Sequence, residues 1–213
     1  MVNQARLCHN NHRSSTPMYS FGIKVPRNVK QALEYDKENG NTKWQDAMTL
    51  EIDNVQAYST FKDIGKVNFV PGYKKIIVHF VFAVKHDLRH KARLVAGGHL
   101  TDPTMEGSYS SVVSLRSLRI CLTAAELNGL GIMVGDITSA YLEAETTEKV
   151  CFTAGPEFGV LEGHTFIIFK ALYGLCTTGA SWHQRFSDTL RDLGYFPCKA
   201  DPDVWIKDCD THY

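Results

Sequence analysis

The sequence predicts an α+β fold in which an antiparallel sheet carries packed helices. Three observations predict it. The run Ile76-Ile77-Val78-His79-Phe80-Val81-Phe82-Ala83-Val84 is dense in β-branched and aromatic residues, which suit a pleated, half-buried surface. Beyond a turn at Asp87-Leu88-Arg89-His90, the stretch Lys91-Ala92-Arg93-Leu94-Val95-Ala96 returns as its partner strand. Three further stretches repeat apolar residues at three- and four-residue steps, the period of an amphipathic helix. The 213 residues, 44% apolar and 22% charged, suffice for one large domain or two small ones with a sizeable core.

In chain order, residues 1 to 28 show little periodicity and read as a flexible N-terminal segment. The polar Met1–Arg13 stretch is not a secretory signal. Asn41-Thr42 offers a helix N-cap, and Trp44, Ala47, Met48, Ile52 and Val55 form the apolar stripe of a helix of roughly four turns. Asp46, Glu51 and Asp53 fall mostly on its other side. Thr60-Phe61-Lys62 is a short strand, and Pro71-Gly72 is a turn. After the hairpin comes a loop from Gly97-Gly98 to Gly107. A second helix follows Ser114, with Leu115, Leu118, Cys121, Leu122 and Ala125, and stops at Gly129. The apolar run Ile132-Met133-Val134 then predicts a strand leading to Gly135-Asp136. Val150-Cys151-Phe152 and Phe166-Ile167-Ile168-Phe169 are two more strands. A third helix places Trp182, Phe186, Leu190 and Leu193 on one face, and Asp203-Val204-Trp205-Ile206 begins a last strand.

No run reaches the roughly 18–20 apolar residues of a membrane span. The formal net charge of zero gives no global case for nucleic-acid binding, but the distribution is uneven. Residues 62 to 93 hold eight Lys and Arg against Asp63 and Asp87, and residues 133 to 163 hold six acids against Lys149. The basic hairpin reads either as a solvated loop or as a finger approaching phosphates. Six scattered cysteines form no C-x-x-C pair, which fits a reducing intracellular compartment. Cys8-His9 with His12 resembles half a metal site without a second half. Asp136 sits where a strand would hold it rigidly and a turn would expose it. Taken alone, it reads first as a turn or N-cap residue.

The separated blocks, in collinear order, change that reading. They are Lys43-Trp44-Gln45-Asp46-Ala47-Met48 with Glu51; His90-Lys91-Ala92-Arg93-Leu94-Val95-Ala96; Tyr109-Ser110-Ser111-Val112-Val113 with Leu118-Arg119; Asp136-Ile137 with Ala140-Tyr141-Leu142; Lys170-Ala171-Leu172-Tyr173-Gly174-Leu175 with Trp182; and Ala200-Asp201-Pro202. Together they resemble the reverse transcriptase domain of copia-type retrotransposon polyproteins, over roughly Trp44 to Trp205. The resemblance implies the fingers and part of the palm of a right-handed polymerase: residues 29–113 a fingers-like region with the basic hairpin, residues 114–213 a partial palm with returning fingers elements.

It also implies RNA-directed DNA synthesis by a two-metal mechanism, with RNA template, DNA primer and dNTP as partners and no membrane. Asp136 then matches the first metal-binding carboxylate, with the Ile137 carbonyl as an additional oxygen ligand for Mg²⁺. Lys91 and Arg93 match the basic strand that contacts the triphosphate, and the match does not separate the two. Ala140 and Tyr141 match the nucleotide site, where the Tyr141 ring lies under the incoming sugar. Tyr173 and Gly174 match a segment beside the incoming nucleotide. For Trp182 core packing is the preferred reading.

The family's aromatic-x-Asp-Asp hairpin, expected shortly after Asp201-Pro202-Asp203, is not among these residues. Asp208 and Asp210 around Cys209 lack both its adjacent pair and its apolar flanks. One carboxylate in place of three predicts weak Mg²⁺ binding and an inactive, truncated or degenerate chain. Other departures are Cys176-Thr177-Thr178-Gly179 after Leu175, where Lys-Gln-x-Pro is commonest, Ser111 for a usual Pro and Gly97 for a usual Arg. A non-catalytic nucleic-acid-binding remnant and a degenerate retroelement product remain as other readings.

Overall fold

A computed structural model describes residues 17–98 and 110–209. The Cys8-His9-His12 motif, most of the loop after Gly97-Gly98, Tyr109 and Asp210 lie outside the described residues. Within the segment read as flexible, β1 (Met18–Ser20) and β2 (Ile23–Val25) pair as an antiparallel hairpin. A helix without a strong apolar stripe follows, α1 (Val29–Asn39). The Asn28 side chain starts it by accepting the Gln31 N–H (2.9 Å), and Gly40 ends it at φ 62°, a left-handed turn that glycine adopts without strain.

The expected helix over Trp44–Val55 forms as α2 (Lys43–Ala57), and Trp44, Ala47, Met48, Ile52 and Val55 are all buried. Its cap differs from the expectation. Thr42 occupies the N-cap position but makes no side-chain cap bond. The buried carboxylate of Asp36, reaching from α1, accepts the Trp44 and Gln45 amides (3.1 and 2.9 Å). A carboxylate brought by the preceding helix thus satisfies N-terminal amides that a local side chain would otherwise cap. Trp44 is 1% exposed and meets the edges of Phe82 (5.5 Å) and His90 (4.2 Å).

Two sheets lie on this base. One combines β3 (Phe61–Asp63), β4 (Lys74–Lys75), β7 (Val150–Thr153) and β8 (Thr165–Ile168) in the order β3-β8-β7-β4. It is mixed rather than wholly antiparallel, because β4 runs parallel to β7. Phe61, Phe152, Phe158 and Phe166 pack there with ring centroids 5.0–6.0 Å apart. The other is the expected hairpin, β5 (Val78–Val84) and β6 (His90–Ala96), in register from Val78↔Ala96 to Val84↔His90. Alternation sorts its faces: Phe80, Phe82, Val84, Ala92, Leu94 and Ala96 are buried, while Lys91, Arg93 and Val95 share the opposite face of β6.

The remainder departs further from expectation. The second helix forms as α3 (Leu115–Leu127), capped by Ser114, but none of its residues is buried. Ile132-Met133-Val134 is not a strand: Met133 is 96% and Val134 90% exposed. An apolar run becomes a buried strand only if neighbouring strands satisfy its backbone and cover its side chains. The described residues bring none alongside. The third helix is α4 (Thr178–Asp192), which buries Thr178 and Ser187, whereas Phe186 is exposed and Leu193, its C-cap, more so. Trp182 is therefore not core. It is half-buried and stacks on Phe186 at 5.6 Å. A last hairpin, β9 (Phe196–Pro197) and β10 (Trp205–Ile206), closes the described chain. Among the described residues no helix is long and apolar enough to cross a membrane.

Candidate functional site

The outer edge of β6 organises the site. Its amides at residues 94, 96 and 98 point away from β5, and an unpaired strand edge must be covered or satisfied. The Glu51 carboxylate of α2 accepts the Leu94 N–H (3.0 Å), the Tyr173 carbonyl accepts that of Ala96 (2.7 Å), and the Gly174 carbonyl accepts that of Gly98 (3.1 Å). The segment 171–175 is thus laid along β6 as a short backbone partner. Gly174 makes this approach possible. It stands at φ 91°, and a Cβ there would collide with the Ala96 carbonyl oxygen.

This backbone pairing sets the side chains. The Arg93 guanidinium lies over the Tyr173 ring, 3.8 Å from its centroid, and the Tyr173 and Tyr141 rings are 4.7 Å apart. Tyr141 belongs to a 3-10 turn, Ala140–Glu143, entered through Ser139 at φ 53°. The Ser139 hydroxyl accepts a hydrogen bond from Asn54 Nδ2 of α2 (3.0 Å), which ties that turn to the packed half of the molecule. A cation–π contact of this kind uses none of the guanidinium N–H donors. Arg93 makes no ion pair among the described residues.

The charged groups along this edge are partly desolvated. Burial is the main influence lowering the Lys91 pKa below its ordinary value, followed by the like charge of Arg93. Burial likewise pushes the Glu51 carboxyl above the usual range, against the Leu94 amide and the charges of Arg93 and Lys91, which pull it down. The sequence reading set Glu51 on the polar side of its helix. The steps Trp44, Met48, Glu51, Val55 instead place it inside the apolar stripe, and a carboxylate at such a position was the signal that could have found it.

Lys91, Arg93, Tyr141, Tyr173 and Gly174 are therefore assembled around one edge, with Ala140 opening the turn that carries Tyr141. Asp136 and Ile137 are placed differently. Both are exposed, and Asp136 has no hydrogen bond or ion pair among the described residues. No group of three or more His, Cys, Asp or Glu that could hold a metal ion occurs among those residues. A Mg²⁺ pair needs several oxygen ligands in near-octahedral geometry. One exposed carboxylate and a backbone carbonyl do not fit that requirement.

A family model described as reverse transcriptase (RNA-dependent DNA polymerase) matches residues 63–211. The chain belongs to this family. The reverse transcriptase match contains every site residue named above except Glu51 and Asn54. Among curated proteins, the chain is 27% identical over 194 residues to the Retrovirus-related Pol polyprotein from transposon TNT 1-94 of Nicotiana tabacum, covering 86% of the chain and 14% of that protein. It is 29% identical over 175 residues to the Transposon Ty1-BL Gag-Pol polyprotein of Saccharomyces cerevisiae, covering 79% of the chain and 10% of that protein. These relatives bear out the resemblance to copia-type reverse transcriptases. The chain spans about a tenth to a seventh of their length. No solved structure matches.

Proposed function

We propose that the chain is the nucleotide-holding part of a retrotransposon reverse transcriptase, acting inside the cell on an RNA template and a DNA primer with dNTP as substrate. The observation that carries this reading is the Arg93–Tyr173–Tyr141 cluster on the β6 edge, within the stretch matched to the family. Arg93, held over Tyr173 and without an ion pair among the described residues, is the group that grips the triphosphate bidentately. Lys91, two residues away on the same strand face, adds charge beside it. Tyr141 packs against Tyr173 and presents a ring to the sugar, where a 2′-hydroxyl would be excluded sterically. Asp136 contributes one carboxylate to a divalent-metal centre, and the residues described here do not complete that centre.

Catalysis accordingly needs carboxylates beyond those described here, and the test is made in a Pol polyprotein that carries this chain. Primer extension on poly(rA)/oligo(dT) with Mg²⁺ tests the reading. The polyprotein is expected to incorporate dTMP, and Asp136→Asn is expected to abolish incorporation, while the 213-residue chain alone is inactive. Incorporation by the polyprotein that survives Asp136→Asn would overturn the assignment of Asp136. No incorporation, together with a salt-independent affinity for template–primer, would overturn the polymerase reading altogether.

A further inference from the structure

Helix α3 presents a physical problem. It precedes the segment that carries Asp136 by nine residues, yet it buries no side chain. Something other than packing must hold its direction. The ties lie at its N-terminus and come from a turn 87 residues later. One oxygen of Asp201 accepts the Ser114 N–H (3.0 Å), at the N-cap of α3, and the other accepts the Asp203 N–H (3.2 Å). The Ser117 hydroxyl is the main influence holding the Asp201 carboxyl down, to about 2, ahead of the Ser114 amide. Ser114 and Ser117 are themselves linked hydroxyl to hydroxyl at 2.9 Å. A carboxylate at this position also opposes the positive end of the helix dipole.

The second carboxylate of the same turn faces the other way. Asp203 Oδ1 lies 2.6 Å from His183 Nε2 of α4, and that nitrogen is 3.2 Å from the Ser111 hydroxyl, three residues before the α3 cap. A Ser, a His and an Asp are thus adjacent, but both partners meet one ring nitrogen. A nucleophilic triad needs the base to use its two nitrogens for different partners, so this trio is a tie and not a hydrolytic centre. The β9–β10 hairpin holds the turn itself: the Cys198 N–H donates to the Val204 carbonyl (2.8 Å), and the Val204 N–H to that of Asp201 (3.0 Å).

We propose that the Asp201-Pro202-Asp203 turn is a strap that ties the α3 N-terminus to α4, with Asp201 holding the α3 N-terminus and Asp203 holding His183, and so fixes where the chain leading to Asp136 sets out. Asp201, Asp203 and His183 are then positioning residues that touch no substrate. Their effect on catalysis rests on the polymerase reading, whereas the strap itself does not.

Two measurements test it on Asp201→Ala, Asp201→Asn and the parent. In amide hydrogen exchange, Asp201→Ala should speed exchange across residues 115–127 by about tenfold, as expected for losing a helix cap. Residues 78–96 should be unchanged in the same sample. Asp201→Asn keeps one acceptor, for the Ser114 N–H, but turns an NH2 donor toward the Asp203 N–H, so its exchange should fall between the parent and Asp201→Ala. In primer extension by the polyprotein, Asp201→Ala should lower kcat by about tenfold and leave KM for dTTP nearly unchanged, the pattern of a group that acts on the chemical step and not on nucleotide binding. Unchanged exchange in residues 115–127 overturns the strap. Faster exchange with unaltered kcat overturns its role in positioning Asp136. A parent polyprotein without activity overturns the polymerase reading, and the exchange arm then still decides the strap.

Discussion

Residues 43–96 and residues 115–138 each contain a helix followed by a run of β-branched or apolar residues, and they end in opposite states. In the first, α2 buries five apolar side chains, and the β5–β6 hairpin buries one face against it. In the second, α3 buries nothing, and Ile132, Met133 and Val134 stay in solvent. The local patterns are alike. What differs is company, because the first stretch brings its own partner strand only six residues on, whereas the second needs partners that the described residues do not supply. Secondary structure held by hydrogen bonds but lacking a packed face is the less stable kind.

The sharpest way to break this comparison is to truncate equivalent apolar residues on each side. Trp44→Ala should cost about 3–5 kcal/mol, as for other fully buried aromatics. Met133→Ser should change stability by less than about 0.5 kcal/mol. Urea unfolding midpoints of the two variants check both, and equal losses would erase the distinction. Next in size is Gly174→Ala, which puts a Cβ onto the Ala96 carbonyl in a left-handed conformation. A cost of about 1–3 kcal/mol is expected, together with loss of the Tyr173 fluorescence environment, since the same segment seats that ring.

A smaller effect separates Arg93 from Lys91. Arg93→Lys keeps the charge but loses the planar stack and the fork, so dTTP affinity should fall about tenfold. Lys91→Arg should be nearly silent, as equilibrium titration would show. The smallest concerns Glu51. Its carboxyl is raised above the ordinary value of 4.5, first by burial. Such a group favours the folded state most below its unfolded pKa, and that contribution is lost as pH rises through the higher folded value. Glu51→Gln still offers an oxygen to the Leu94 N–H without the buried charge. It should therefore be more stable than the parent at pH 7 to 8, by less than about 1 kcal/mol given partial solvent screening. That advantage should vanish near pH 4, which denaturation across pH would reveal.

How far the sequence could be read follows the same divide. The hairpin, α2 and the strands at 150–153 and 165–168 were legible, because each carries both its periodicity and its partner. Lys91, Arg93, Tyr141 and Tyr173 were legible as candidates through the separated blocks, but their stacking on one another was not. It depends on Gly174 laying a loop along the β6 edge, a pairing between residues 96 and 173 that no local pattern encodes. Asp36 as the cap of α2, and Asp201 as a partner of the α3 cap, were missed for the same reason: both act on distant backbone. The apolar run 132–134 predicts a strand that does not form. Apolar composition states a preference for burial, and burial needs a surface to receive it.

The proposal at stake is that Arg93 and Lys91 hold the triphosphate, whereas the described residues offer a metal only the single exposed carboxylate of Asp136. Titrating dTTP into the parent, Arg93→Ala and Asp136→Asn, at low and at millimolar Mg²⁺, tests it most directly. The account predicts that Arg93→Ala weakens binding at both Mg²⁺ levels and that Asp136→Asn leaves it unchanged at both. Binding that depends on Mg²⁺, is lost in Asp136→Asn and is retained in Arg93→Ala would contradict it.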